Sequence, residues 1–134
     1  MRHSERVTWL DPRIPERYRK LWVPAGTVGE LVHHTTTAHL AEIERAGFIE
    51  PRDPSPKHWG GLVAIFMADA SDPLYGRALA DVLAHVREKD DALVRLSLQT
   101  ENVLFRSVDL KRTFQIISLD PIAFGDIAQV ELID

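Results

Sequence analysis

The sequence predicts one α+β domain, and three observations carry this prediction. The chain has 134 residues, which is the size of a single domain. Hydrophobic residues make up 45% of it and charged residues 27%, close to the average of chains that bury a core. The apolar pattern runs strand, helix, strand, helix and then several strands, an order typical of α+β domains.

The first predicted strand leads directly into the first predicted helix. Residues 31–35 are rich in side chains that favour strands, and Thr36 is a suitable N-cap for a helix. Residues 37–46 carry apolar side chains at helical spacing, and Gly47 can adopt the left-handed conformation that ends a helix. A strand and a short helix are therefore expected over this part of the chain.

The middle of the chain predicts a buried strand and a second helix. The apolar run at 61–68 is typical of a central strand covered on both faces, and Asp69 ends it. Ser71 or Asp72 can cap the next helix, whose apolar stripe runs over 74–86. These two helices are the main helices of the predicted domain.

The last third of the chain predicts four further strands. Residues 93–98 alternate between two faces, as a half-covered strand does. The other strands are expected at 103–108, 113–119 and 127–133, with a turn at Gly125 and Asp126 before the last one.

The first 25 residues differ in composition from the domain predicted over 26–134. They hold six basic and three acidic residues, and three prolines exclude a continuous helix, so one turn at 16–21 is expected. The segment is either a strap over a sheet edge or an arm that binds a nucleic acid or a partner protein. The candidate binding residues of such an arm are Arg13, Arg17, Arg19 and Lys20.

Composition excludes several classes of function. The chain has no cysteine, so thiolate metal sites and cysteine nucleophiles are excluded. Its net charge of -4 disfavours general binding to a nucleic-acid backbone. His33 and His34 are neighbours in a strand and point to opposite faces, so no metal site is expected. With no long apolar stretch and no secretory signal, a cytoplasmic protein without a membrane segment is expected.

The residues from Leu31 to Thr36, followed by a helix that ends at Gly47, resemble the opening of small ADP-ribosyltransferase-like domains. Those domains begin with an aliphatic-aromatic-His-x-Thr strand. The later stretch from Ile116 to Ile122 is similar to the last hairpin region of that superfamily, which also includes RNA 2′-phosphotransferases. The resemblance implies a split β-sheet core with the two main helices packed on it.

The resemblance also implies roles for individual residues in binding NAD, which is a substrate in this superfamily. His33 and Thr35 match the residues that orient the nicotinamide ribose. Tyr75, or else Phe66, matches the aromatic side chain that stacks on nicotinamide. The family usually adds a late-strand Glu, and the predicted strand at 113–119 has none.

Gln115, or an acidic residue such as Glu101, would complete the site. The hypothesis is therefore a transferase that moves ADP-ribose from NAD to a protein, a nucleic acid or a small molecule, as a toxin or a modifying enzyme does. The alternative is a non-catalytic interaction module of the same fold, such as an antitoxin, an immunity protein or a regulatory subunit. A further alternative is an RNA 2′-phosphotransferase that uses Arg95, Arg106 or Arg112.

Overall fold

A large antiparallel sheet dominates the computed structural model, which describes residues 11–53, 61–76, 79, 80, 84 and 92–133. The strands in chain order are β1 (Trp22–Pro24), β2 (Leu31–Thr36), β3 (Phe48–Ile49), β4 (Ile65–Asp69), β5 (Leu93–Leu98), β6 (Leu104–Ser107), β7 (Gln115–Ser118), β8 (Ile122–Ala123) and β9 (Ile127–Ile133). Seven of them form one sheet in the order β1-β6-β7-β4-β2-β5-β9, and β3 pairs with β8 separately. The mixed α and β character predicted from the sequence is confirmed.

Helix α1 (Thr37–Ala46) begins and ends where the sequence predicts. Thr36 Oγ1 accepts a hydrogen bond from the His39 backbone N–H at 3.1 Å, which satisfies one of the free donors at the helix start. Gly47 has a φ of 87° and its N–H donates to the carbonyl of Ile43. Local capping chemistry is therefore sufficient to define this helix.

The second predicted helix is described in part. Residues 73–76, 79, 80 and 84 are helical, and Leu74 and Leu79 pack beside the buried ring of Tyr75. The other positions of the predicted apolar stripe, at 78, 82, 83 and 86, lie outside the described residues.

Three predicted strands are longer in the sequence pattern than in the structure. The predicted ranges 61–68, 103–108 and 113–119 become β4, β6 and β7, whereas the strands predicted at 93–98 and 127–133 have the expected bounds. Apolar character extends beyond the paired residues where the chain stays buried, as at Leu62 before β4 and Phe114 before β7. The apolar pattern therefore predicts where these strands lie, and backbone pairing gives them shorter bounds.

The two faces of the sheet carry separate cores. On one side, here called the α1 face, Leu31, Met67 and Leu96 pack with Ile43 of α1. On the other side, here called the Tyr75 face, Val32 and Ala68 pack with Tyr75, while the N-terminal segment covers Phe105 and Ile117. Because both faces of β2 are covered, its burial pattern does not alternate.

Residues 11–24 are part of this fold. A 3-10 helix (Glu16–Leu21) leads into β1, which the sequence pattern does not predict and which forms one edge of the sheet beside β6. Ile14 and Trp22 are each 2% exposed in the core. Residues 11–24 thus pack on the sheet and supply its edge strand, while residues 1–10 lie outside the described part of the chain.

We expect Gly47→Ala and Gly76→Ala to change stability in opposite directions. A Cβ atom at either position meets no atom within 4 Å, so only backbone conformation differs between the two. Alanine is strained at the positive φ of Gly47 and should lower the free energy of unfolding by about 1 kcal/mol. At the helical Gly76, alanine should raise the free energy of unfolding by about 0.5 kcal/mol. Urea denaturation of both variants measures this, and equal effects would contradict the assigned helix end.

Candidate functional site

His33 projects onto the α1 face, where its ring supports the sheet. Its Nδ1 lies 2.9 Å from the carbonyl oxygen of Phe66, and because a carbonyl can only accept, the imidazole donates. In the ladder between β2 and β4, Leu31 pairs with Asp69 and Val32 pairs with Ala68. The His33 side chain therefore bonds to β4 next to the last recorded backbone pair.

The structure does not bring the residues matched to the ADP-ribosyltransferase site together. Thr35 is buried on the same face as His33, whereas Tyr75 packs against Val32 on the opposite face. Phe66 is also on the Tyr75 face, where its ring and that of Trp22 pack edge to face with centroids 6.3 Å apart. His33 and either aromatic candidate are thus separated by the sheet itself.

The neighbouring histidine contacts Tyr75 instead. The rings of His34 and Tyr75 are stacked with centroids 5.8 Å apart, and His34 Nε2 lies 2.9 Å from Tyr75 Oη. Arg95 Nη1 donates to the same oxygen at 3.4 Å, and the Arg95 guanidinium forms an ion pair with Glu131. We call these four side chains, His34, Tyr75, Arg95 and Glu131, the His34 cluster.

Strand register explains why this cluster forms. His34 of β2 lies opposite Arg95 of β5, and Arg95 lies opposite Glu131 of β9, so three side chains form a row across the sheet. Tyr75 comes from the helical turn that follows β4, where its N–H donates to Asp72 O at 3.0 Å. The cluster therefore depends on pairing between distant parts of the chain.

His34 is held neutral at ordinary pH. Its pKa is lowered to about 4, chiefly because burial disfavours the charged imidazolium, with smaller contributions from the positive charges of His33 and Arg95. A neutral imidazole has one N–H donor and one acceptor nitrogen, so at pH 7 this ring can orient a hydroxyl group but brings no positive charge.

The two polar candidates for completing the predicted site lie apart from each other. Gln115 is half-buried in β7, opposite Ala68 on the Tyr75 face. Glu101 is exposed in the loop between β5 and β6. Neither is a member of the His34 cluster, whereas Glu131 is an acidic residue on a late strand. Its strand is predicted, but the pairing that places it beside Arg95 has no signal in the sequence.

The other basic candidates have different partners. Arg106 forms an ion pair with Asp69 at 2.7 Å, and Arg112 is exposed in the turn before β7. Arg13 binds Asp11 and Asp120, and Arg19 donates to the carbonyl oxygens of Ile14 and Pro12. Lys20 is exposed, and the side chain of Arg17 lies outside the described residues.

A cleft of about 650 Å³ lies at the end of the sheet where β2 begins and β5 ends. Its walls are the segment between β1 and β2 and the loop between β5 and β6. Among the described residues that line it, Glu30 carries a charge and none is Lys or Arg. This is an unfavourable place for an anionic ligand.

Two features are absent from the part of the chain that the structure describes. No group of three His, Asp or Glu side chains there is arranged to hold a metal ion. No helix among the described residues has the length and apolar character needed to cross a membrane.

Comparison with known proteins supports the fold. No protein-family model and no curated protein matches the chain. The chain is similar in structure to protein CC0527 from Caulobacter crescentus, with a TM-score of 0.53 and 13% identity over 78% of this chain and 86% of that one. A double mutant of CC0527 gives the same values. The name of that protein states no activity, so the likeness concerns the fold alone.

The depressed pKa of His34 makes stability depend on pH. An unfolded histidine titrates near pH 6.5, so between about pH 6.5 and 4 the unfolded chain binds more protons than the folded one. The stabilising effect of neutral His34 is complete above this range and is lost as pH falls through it. Allowing for partial exposure, we expect a loss on the order of 2 kcal/mol.

Urea denaturation at pH 7 and pH 4.5 measures this loss. Between the two pH values, His34→Phe, which keeps a ring on Tyr75, should lose less stability than the wild-type chain does. An NMR titration midpoint of the His34 ring near pH 6.5 would contradict the assignment.

Proposed function

We propose that this protein is an NAD-dependent ADP-ribosyltransferase of the superfamily that its sequence resembles, with the His34 cluster as its site. One observation carries the proposal. A histidine, a tyrosine and a late-strand glutamate lie in one hydrogen-bonded group on a single face of the sheet. In this assignment His34 takes the role that the resemblance gives to His33, and Glu131 takes that of the missing late-strand acid.

The reaction requires few groups, and the cluster contains them. The bond between C1′ of the ribose and the nicotinamide nitrogen breaks, nicotinamide leaves, and a nucleophile of the acceptor attacks C1′ and gives up its proton. Positive charge develops on the ribose while the bond breaks. The Glu131 carboxylate would stabilise that charge, and neutral His34 would hold a ribose hydroxyl.

Arg95 would bind the pyrophosphate of NAD. Its guanidinium is engaged by Glu131 in this structure, and its side chain is about one quarter exposed. A pyrophosphate that took over this cation would release the Glu131 carboxylate toward the ribose. The cleft beside Glu30 provides no such cation among its described lining residues, which favours the His34 cluster as the place where NAD binds.

One observation favours the non-catalytic interaction module as the second candidate. Tyr75 is 6% exposed, and its ring is already stacked on His34. Stacking on nicotinamide would require this ring to leave its place beside Val32 and Phe114. A module that keeps the fold without turning over NAD requires no such movement.

Calorimetry with NAD and assays of nicotinamide release test the proposal. Arg95→Gln should weaken NAD binding at least tenfold, because it removes the cation proposed for the pyrophosphate. Glu131→Gln should leave binding within a few-fold but lower nicotinamide release by roughly a hundredfold or more. Glu44→Gln, an exposed acid on α1, is the matched control and should change neither quantity.

Two results would count against the proposal in different ways. If NAD binds but the Arg95 and Glu131 variants behave as the wild type does, the site is wrong. If the wild type neither binds NAD nor releases nicotinamide with protein, RNA or small-molecule acceptors, the transferase is excluded and the interaction module is retained.

A further inference from the structure

The cleft at the end of the sheet has the size of a ligand-binding site. Its volume of about 650 Å³ lies within the range of small-molecule pockets, roughly 300–1,000 Å³. It contains none of the four side chains of the His34 cluster. It is therefore a separate feature, which the proposed transferase reaction does not use.

Hydrogen bonds fix one wall of this cleft. The N–H of Glu30 donates to the buried carboxylate of Asp69 at 3.2 Å, and the carbonyl of Glu30 accepts from the N–H of Ala70 at 2.8 Å. Gly29 lies so close to Ser71 that a Cβ atom at Gly29 would be 2.2 Å from Ser71 Oγ. This wall is thus attached to the core and is formed before any ligand arrives.

The opposite wall is held in the same way. Ala25 N–H donates to the carbonyl of Leu104 at 2.9 Å, and Gln99 N–H donates to that of Asp126 at 2.8 Å. The side-chain amide of Asn102 donates to Ser118 Oγ and to the carbonyl oxygens of Asp120 and Pro121. Both walls are therefore held in place without a ligand, which lowers the entropic cost of binding.

The lining combines an apolar part with acidic charge. Val103, which is 65% exposed, and the half-buried Val28 and Leu104 supply apolar surface, and Glu30 supplies a negative charge. An adjoining depression shares the loop between β5 and β6 and adds Glu101 and Asp126. Neither space has a Lys or Arg among its described lining residues.

We infer that this cleft binds a small organic cation, a protonated amine or guanidinium carried on an apolar chain. One carboxylate, Glu30, lines the cleft, and two more, Glu101 and Asp126, line the adjoining depression. Since neither space has a basic side chain among its described lining, this end of the sheet attracts cations and repels anions. The apolar part of the lining favours an alkyl chain over an inorganic ion, and no metal-holding group of acidic side chains occurs in the described residues. The inference is independent of the proposed transferase function.

Agmatine is a suitable probe because a four-carbon chain joins its guanidinium and amine groups. We expect saturable NMR shifts of backbone amides at 25–31 and 97–104 when it is added to the full chain at low salt. Glu30→Gln and Glu101→Gln should each weaken binding roughly threefold. Glu44→Gln on α1 is the matched control, and Tyr75→Phe in the His34 cluster should bind agmatine as the wild type does.

Butyrate and butanol, which have chains of the same length, test the role of charge. Both should bind more weakly than agmatine, and salt should weaken agmatine binding because the attraction is electrostatic. Equal binding of butyrate would overturn the inference, as would shifts that never saturate or that lie away from the cleft. Unchanged agmatine binding in both carboxylate variants, with their folding verified by the same spectra, would also overturn it.

Discussion

The carboxylate of Asp69 is the group on which the rest of this structure depends. It is buried at the end of β4 and accepts hydrogen bonds from Arg106 of β6, from Ser71 in the following turn and from the N–H of Glu30 before β2. Burial alone would raise the pKa of Asp69, but the bonds from Ser71 and Arg106 outweigh it and hold the pKa at about 2. Because a buried carboxylate without partners is costly, Asp69 favours the arrangement in which all three parts of the chain contact it.

The same carboxylate determines where both candidate sites lie. The N–H and the hydroxyl of Ser71 donate to this carboxylate and hold the turn after β4, and in the helical segment that follows, Tyr75 reaches His34. On the other side, the bond from Glu30 N–H to Asp69 positions the wall of the cleft. Displacing this carboxylate would therefore disturb the His34 cluster and the cleft together, although they share no lining residue.

Much of the fold can be predicted from the sequence because local chemistry encodes it. Thr36 and Gly47 define α1, and alternation defines the strand at 93–98. The candidate site cannot be predicted in the same way. Both faces of β2 are covered, so no local pattern distinguishes the side of His33 from that of His34. Glu131 reaches Arg95 through pairing of β5 with β9, and such pairing is a property of the whole sheet.

The charges near the two sites have a consequence for selectivity. The His34 cluster holds the cation Arg95 beside a neutral His34, so it can accept a phosphate group if Glu131 gives way. The cleft holds Glu30 and adjoins Glu101 and Asp126, so it repels the same phosphate. Ser97 lines the cleft two residues from Arg95, a distance of roughly 7 Å along β5. The two sites therefore favour ligand groups of opposite charge, because exchanging the two groups would place each against a side chain of its own sign.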